Sequence, residues 1–257
     1  MINRMKRTAT TNRRMPITHA DLWLYVGVLA LLCIPRAQAA QHLPPVFLAE
    51  YSLHALGTKV GRTQWQSRDD QGIRVFEAKT EPSGLYALIR SETIHERSRL
   101  RIEGESLIPL TYRYQRRGGK RDRFVEVDFN WAKKRVRNTA KGQSWEMQVP
   151  LGTLDKFSYL LALMRDLELG RSTLQYDIAD GGHLKRYDIA ILGREVLETP
   201  LGALETVKVR RKNRKSRITT LWCATQLHHL PVKIEHSEKD GTSVSLKIQE
   251  VEGLSVR

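Results

Sequence analysis

From residue 47 onward the chain alternates apolar and polar residues in short runs, and that period limits the fold more than any other feature. In 47–53 one side collects Phe47, Ala49, Tyr51 and Leu53. Similar runs occur at 73–79, 94–102, 110–114, 123–129, 145–149, 174–178, 184–191, 204–209, 218–222, 231–236 and 244–248. Successive side chains on a strand point to opposite faces, so alternation specifies strands with one buried and one wet face. Antiparallel sheets have that character, whereas all-parallel sheets bury both faces. Asp180-Gly181, Asp240-Gly241 and Gly118-Gly119 fall between runs, where tight hairpins need residues that tolerate positive φ. The expected fold is all-β: an antiparallel meander forming a curled sheet or partly open barrel, since a meander must curl or close to protect its edges.

One segment has another period. Over 154–167, Phe157, Leu160, Leu161, Met164 and Leu167 recur at three- and four-residue spacing, which predicts one amphipathic helix packed on the sheet. Thr153 is the expected cap, Asp155 suits the first turn and Gly170 the stop. The sequence SGLYALIR at 83–90 is a candidate for a second, shorter helix. No composition shift divides the chain beyond residue 45, so 46–257 is expected to form a single β-rich domain after a linker at 40–45.

The first 39 residues read as an address. Arg4, Lys6, Arg7, Arg13 and Arg14 precede an unbroken apolar run at 22–34, and Ala37-Gln38-Ala39 forms a small-x-small site. Basic, apolar and cleavage regions in that order make a secretory signal peptide, with cleavage expected after Ala39 and periplasmic location. Thirteen residues span about 20 Å as a helix, short of a hydrocarbon core of about 30 Å, so an inner-membrane anchor at 22–34 is the alternative. Cleavage removes Cys33 and leaves Cys223 alone, expected to be buried and inert.

The net charge of +15 invites a nucleic-acid reading. The leader holds six bases and one acid, so 37 bases and 27 acids remain after cleavage, a charge of about +10. Export and the lack of a base-stacking motif argue against nucleic acid. The densest basic run, RRKNRKSR at 210–217, offers Arg210, Arg211, Lys212, Arg214, Lys215 and Arg217 as anion-binding candidates; lesser clusters lie at 113–123 and 133–137. An anionic lipid, another envelope component or a membrane surface is the partner such clusters suit.

Catalytic signatures are lacking: there is no G-x-S-x-G, S-x-x-K or H-E-x-x-H, and no catalytic residue is assigned. His228-His229 and His236 are poorly spaced for one ion, because neighbouring strand residues face apart. Asp177, Asp180 and Asp188 lack calcium-loop spacing, so no metal or cofactor is expected. Tyr112, Phe129, Trp131, Trp145 and Trp222 are assigned to packing. The concave face of a curled sheet must be filled by side chains, by a helix or by a ligand. Phe157, Leu160, Leu161 and Met164 are therefore the candidate apolar ligand-binding residues, able to uncover a groove if the helix swings away. Non-enzymatic binding of an amphipathic envelope component is the leading expectation. A structural or assembly partner, using strand edges and basic loops, is the alternative, and an envelope hydrolase stands third. The oligomeric state is left open.

A series of short pieces also resembles a family of bacterial exported proteins, those with the domain of unknown function 3108. The pieces are 49–51, 83–89, LIPLTY at 107–112, VDFNW at 127–131, GTLDKFS at 152–158 and DGGHLK at 180–185. They continue with ETPLGALETVK at 198–208, 222–224, LPVK at 230–233 and Asp240-Gly241. Thr225 departs from the pattern, which expects proline after Ala224. The resemblance implies an exported, β-rich protein and assigns no activity. Curved sheets with an associated helix are similar in architecture to envelope lipid carriers and lipocalin-type binders.

Overall fold

The computed structural model describes residues 42–119, 121–212, 218–238 and 240–254, with the backbone alone for Lys212. The leader at 1–39, its alternative anchor at 22–34, and Arg214, Lys215 and Arg217 lie outside the described residues.

Alternation becomes strand almost wherever it was read. In chain order the strands are β1 (Phe47–Ala55), β2 (Thr58–Asp70), β3 (Ile73–Pro82), β4 (Thr93–Glu103), β5 (Ser106–Arg117), β6 (Arg123–Asn130), β7 (Arg135–Ala140) and β8 (Gln143–Gln148). There follow β9 (Leu154–Asp155), helix α1 (Tyr159–Glu168), β10 (Leu174–Asp180), β11 (His183–Thr199), β12 (Gly202–Lys212), β13 (Ile218–Ala224), β14 (Leu230–Ser237) and β15 (Ser243–Glu252). All fifteen belong to one sheet, in which β1 through β8 form one meander and β10 through β15 another. The two join where β1 pairs with β15, with Leu53 opposite Leu246. Only β9 runs parallel to its neighbour, β10. The sheet does not close into a barrel by hydrogen bonds; β8 and β9 are its free ends.

Three strands, β2, β7 and β9, were not expected. The inward face of β2 presents Gly61, Thr63, Trp65 and Ser67, mostly small or polar, so its period is real but not apolar. Likewise β7 turns Val136 and Asn138 inward, between charged residues.

The helix differs from expectation at its start. It begins at Tyr159 rather than 154, because Leu154 and Asp155 are held as β9. Thr153 does not cap it; its hydroxyl donates to Pro150 O at 2.8 Å. The backbone N–H groups of Phe157 and Ser158 instead donate to Asp155 Oδ1, each at 2.8 Å. An aspartate bonding backbone two and three residues ahead makes a tight local turn that competes with helix. The stop is as read: Arg171 N–H donates to Asp166 O and Gly170 N–H to Leu167 O, with Gly170 at φ +67°, a Schellman motif. Nor does α1 keep a wet face. Tyr159 through Met164, Asp166 and Leu167 are all buried, which places the helix inside the curl as its filling. The expected second helix is a 3-10 turn, Gly84–Leu88, with no buried residue to anchor a longer one.

Candidate functional site

Inward residues line up in rows across the sheet. Trp65 on β2 registers with Ala78 on β3, which registers with Glu96 on β4. One step toward the strand ends, the Thr63 and Thr80 hydroxyls lie 2.9 Å apart. On the other meander, Val209 and Arg211 of β12 face Leu221 and Thr219 of β13, which face Ile234 and His236 of β14. Between these walls and the first turn of α1 lies a cavity of about 560 Å³.

Its inner wall is apolar: Trp65, Ala78, Phe157, Leu160, Leu221, Ile234 and Leu246. Phe157 is fixed there by stacking on Phe76, with ring centroids 4.0 Å apart and planes 3° from parallel. The edge of Trp65 closes on it at 5.6 Å. The rest of the lining is largely polar, with Glu96, Lys156, Asp180, Arg211, Thr219, His236 and Glu238.

Glu96 and Asp180 both have partners. Tyr112 Oη donates to Glu96 Oε1 at 2.5 Å, and burial raises the Glu96 carboxyl above its usual range while Lys156 opposes the rise. Lys185 Nζ stands 2.8 Å from Asp180, and Lys156 Nζ 3.9 Å from it. Arg211 differs. Its guanidinium lies 4.3 Å over the Tyr187 ring and donates from Nη2 to Thr219 Oγ1 at 3.4 Å. Its Nε is buried with no hydrogen-bond partner, and no carboxylate among the described residues lies within ion-pair distance of it. The Thr219 hydroxyl is 2.9 Å from His236 Nδ1, extending the polar chain across three strands.

Of the ligand- and anion-binding candidates named from sequence, Phe157, Leu160 and Arg211 meet in this cavity. Leu161 and Met164 are buried in the core and do not line it. Arg210 faces the opposite side, exposed, because neighbours on a strand diverge. Sequence reasoning missed Trp65, Glu96, Lys156 and Tyr187. The usable signal was parity, since each lies an even number of residues from a core position on its strand, or, for Lys156, in the turn before α1.

Other candidates settle into structural roles. His229 Nδ1 lies 3.0 Å from Glu168 at the end of α1. Cys223 is buried, and burial pushes its thiol up. Trp222 is covered by Lys208 and Lys233, with ammonium groups 4.9 and 4.2 Å from its ring.

The fold is similar to that of a beta-barrel-like protein of domain of unknown function DUF1849 from Brucella abortus. The identity is 8% and the TM-score 0.54, over 82% of this chain and 98% of that one. No curated protein matches the chain significantly. The family described as "Protein of unknown function (DUF3108)" matches residues 50–249, a span that holds every wall of the cavity, and the chain belongs to that family.

Proposed function

We propose that this protein is an exported, periplasmic, non-enzymatic binder of an anionic amphipathic envelope component, held in the cavity of the curled sheet. One observation carries the reading. A single cavity of about 560 Å³ combines apolar side chains with Arg211, a guanidinium that forms no ion pair with a carboxylate of the described residues. Small-molecule sites are of about 300–1,000 Å³, mostly apolar, with few polar groups that orient the ligand. The guest's apolar part lies against Trp65, Phe157 and Leu160, and its anionic head meets Arg211, with Lys156 nearby. The basic, apolar and small-residue leader at 1–39 supports export.

Lipid extracted from the purified chain is expected to contain an anionic amphiphile identifiable by mass spectrometry. Arg211→Ala should weaken uptake of a fluorescent fatty acid by about tenfold or more, the loss of a charge-assisted hydrogen bond of about 1.5–3 kcal/mol. Leu160→Trp should weaken it by filling the cavity. An empty extract, together with no fatty-acid uptake by the unaltered chain, would overturn the reading.

A further inference from the structure

The hairpin tips at the mouth end of the sheet carry two features that the cavity does not use. The first is apolar. In the loop joining β3 to β4, Leu85, Leu88 and Ile89 are 84%, 81% and 74% exposed. Leu56, in the neighbouring β1–β2 turn, is 70% exposed. Single exposed leucines are ordinary, but several on adjoining tips form a patch that water disfavours. The loop has a defined seat: Ser83 N–H donates to Val60 O at 3.2 Å.

The second feature is charge. The β5–β6 tip packs beside this loop, with Ser91 Oγ donating to Gly118 O at 3.3 Å and Thr93 registered with Arg117. Together the loop and the tip present Arg90, Arg116, Arg117, Arg121 and Arg123. Two acids stand among them, Glu92 and Asp122, and the Asp122 carboxylate accepts the Gly118 N–H at 3.1 Å. None of the five guanidiniums has a carboxylate of the described residues within ion-pair distance. Arginines on the strand faces are otherwise disposed: Arg97 pairs with Glu77 at 2.9 Å, Arg113 with Glu126 at 2.6 Å and Arg137 with Glu146 at 3.2 Å.

We infer that this end of the molecule docks on an anionic lipid bilayer, with Leu85, Leu88 and Ile89 entering the headgroup boundary and the arginines meeting lipid phosphates. The occupant follows from complementarity. Apolar side chains on a short projecting loop, flanked by unneutralised cations, match a surface that is anionic outside and apolar beneath. The same end opens into the cavity, since the lining residues Thr80 and Arg211 lie within the last three residues of β3 and β12. Docking there brings the mouth to the bilayer, so the inference deepens the lipid-binding reading and rests on it for its purpose, though not for its test.

The test is sedimentation of the chain as recovered from cells, its N-terminus fixed by mass spectrometry, with two kinds of vesicle. Vesicles of phosphatidylcholine mixed with phosphatidylglycerol should carry the protein down, pure phosphatidylcholine should not, and added salt should weaken the binding. Replacing Leu85, Leu88 and Ile89 together by serine should reduce binding by about tenfold or more, as should Arg117→Glu with Arg121→Glu. Arg137→Glu, on a paired strand face, should leave it unchanged. All these positions are exposed, and circular dichroism checks that the variants fold. Equal binding by the loop variants and the unaltered chain would overturn the inference. So would binding indifferent to anionic lipid, or a dimer that the serine variant dissolves. Loop variants should still take up fatty acid, and Arg211→Ala should still sediment, so either reading can fail alone.

Discussion

Asp155 decides where the helix begins and how the cavity wall is hung. Its Oδ1 accepts the Ser98 hydroxyl at 2.6 Å and two backbone N–H groups, while Oδ2 is buried without a partner. Burial raises this carboxyl above its usual range, against the pull of those hydrogen bonds, and it raises Glu96 as well. A carboxyl with a raised folded value keeps its proton where the unfolded chain has lost it. Its stabilising effect is complete below the unfolded value and fades as pH rises through the folded one. The contribution of these two groups to the thermal midpoint is therefore expected to fall as pH rises above about 4, the unfolded carboxyl value. Glu96→Gln and Asp155→Asn, which remove the titration and keep one acceptor oxygen, should flatten that decline. Melting curves across pH check it, and an unchanged slope in both variants would count against the assignment.

At the scale of the element, α1 shows how a stripe read from spacing becomes a filling. Phe157 precedes the helix and ties it to β2 and β3 through Trp65 and Phe76. On the far side Tyr159 meets the edge of Tyr187 at 5.3 Å, and at the C-terminal end Asp166 accepts the Tyr176 hydroxyl at 2.9 Å. The helix is thus held by both meanders. Phe157→Ala should cost about 3–5 kcal/mol in urea unfolding, the usual range for a buried phenylalanine. A loss under about 1 kcal/mol would mean that the stack does not hold the helix in place. The periodicity of α1 was legible because three- and four-residue spacing is local. Its start was not, because β9 depends on pairing with β10, whose partner residue Ile178 lies far along the chain from Leu154.

The whole molecule is a sheet with two ends, and side chains bridge what hydrogen bonds leave open. From β8, Trp145 packs on the β10–β11 turn so closely that a Cβ on Gly182 would lie 2.1 Å from its Nε1. Near the other end, Asp155 on β9 reaches Ser98 on β4. Gly182→Ala should therefore destabilise the fold twice over, through its φ of +80° and through displacement of Trp145. Gly57→Ala is the control, with φ +81° and open space around it. Gly182→Ala is expected to exceed the control by about 1–3 kcal/mol, the cost of overpacking, and to change Trp145 fluorescence. Equal losses would show that the seam contributes nothing.

Taken alone, the sequence determined the material: twelve alternating runs became strands, one three-to-four spacing became the helix, and Gly170 ended it. These are local matters, written in residues a few positions apart. It also supplied Phe157, Leu160 and Arg211, although not the fact that they share a cavity. Only the tertiary structure decided that, because the walls come from strands remote in sequence, joined through the pairing of β1 with β15. It decided too which basic residues stay unpaired. Cross-strand register gives Arg97, Arg113 and Arg137 their carboxylates and leaves Arg211 and Arg117 without one among the described residues. Charge is a property of composition, but neutralisation is a property of register, and register is set by long-range packing.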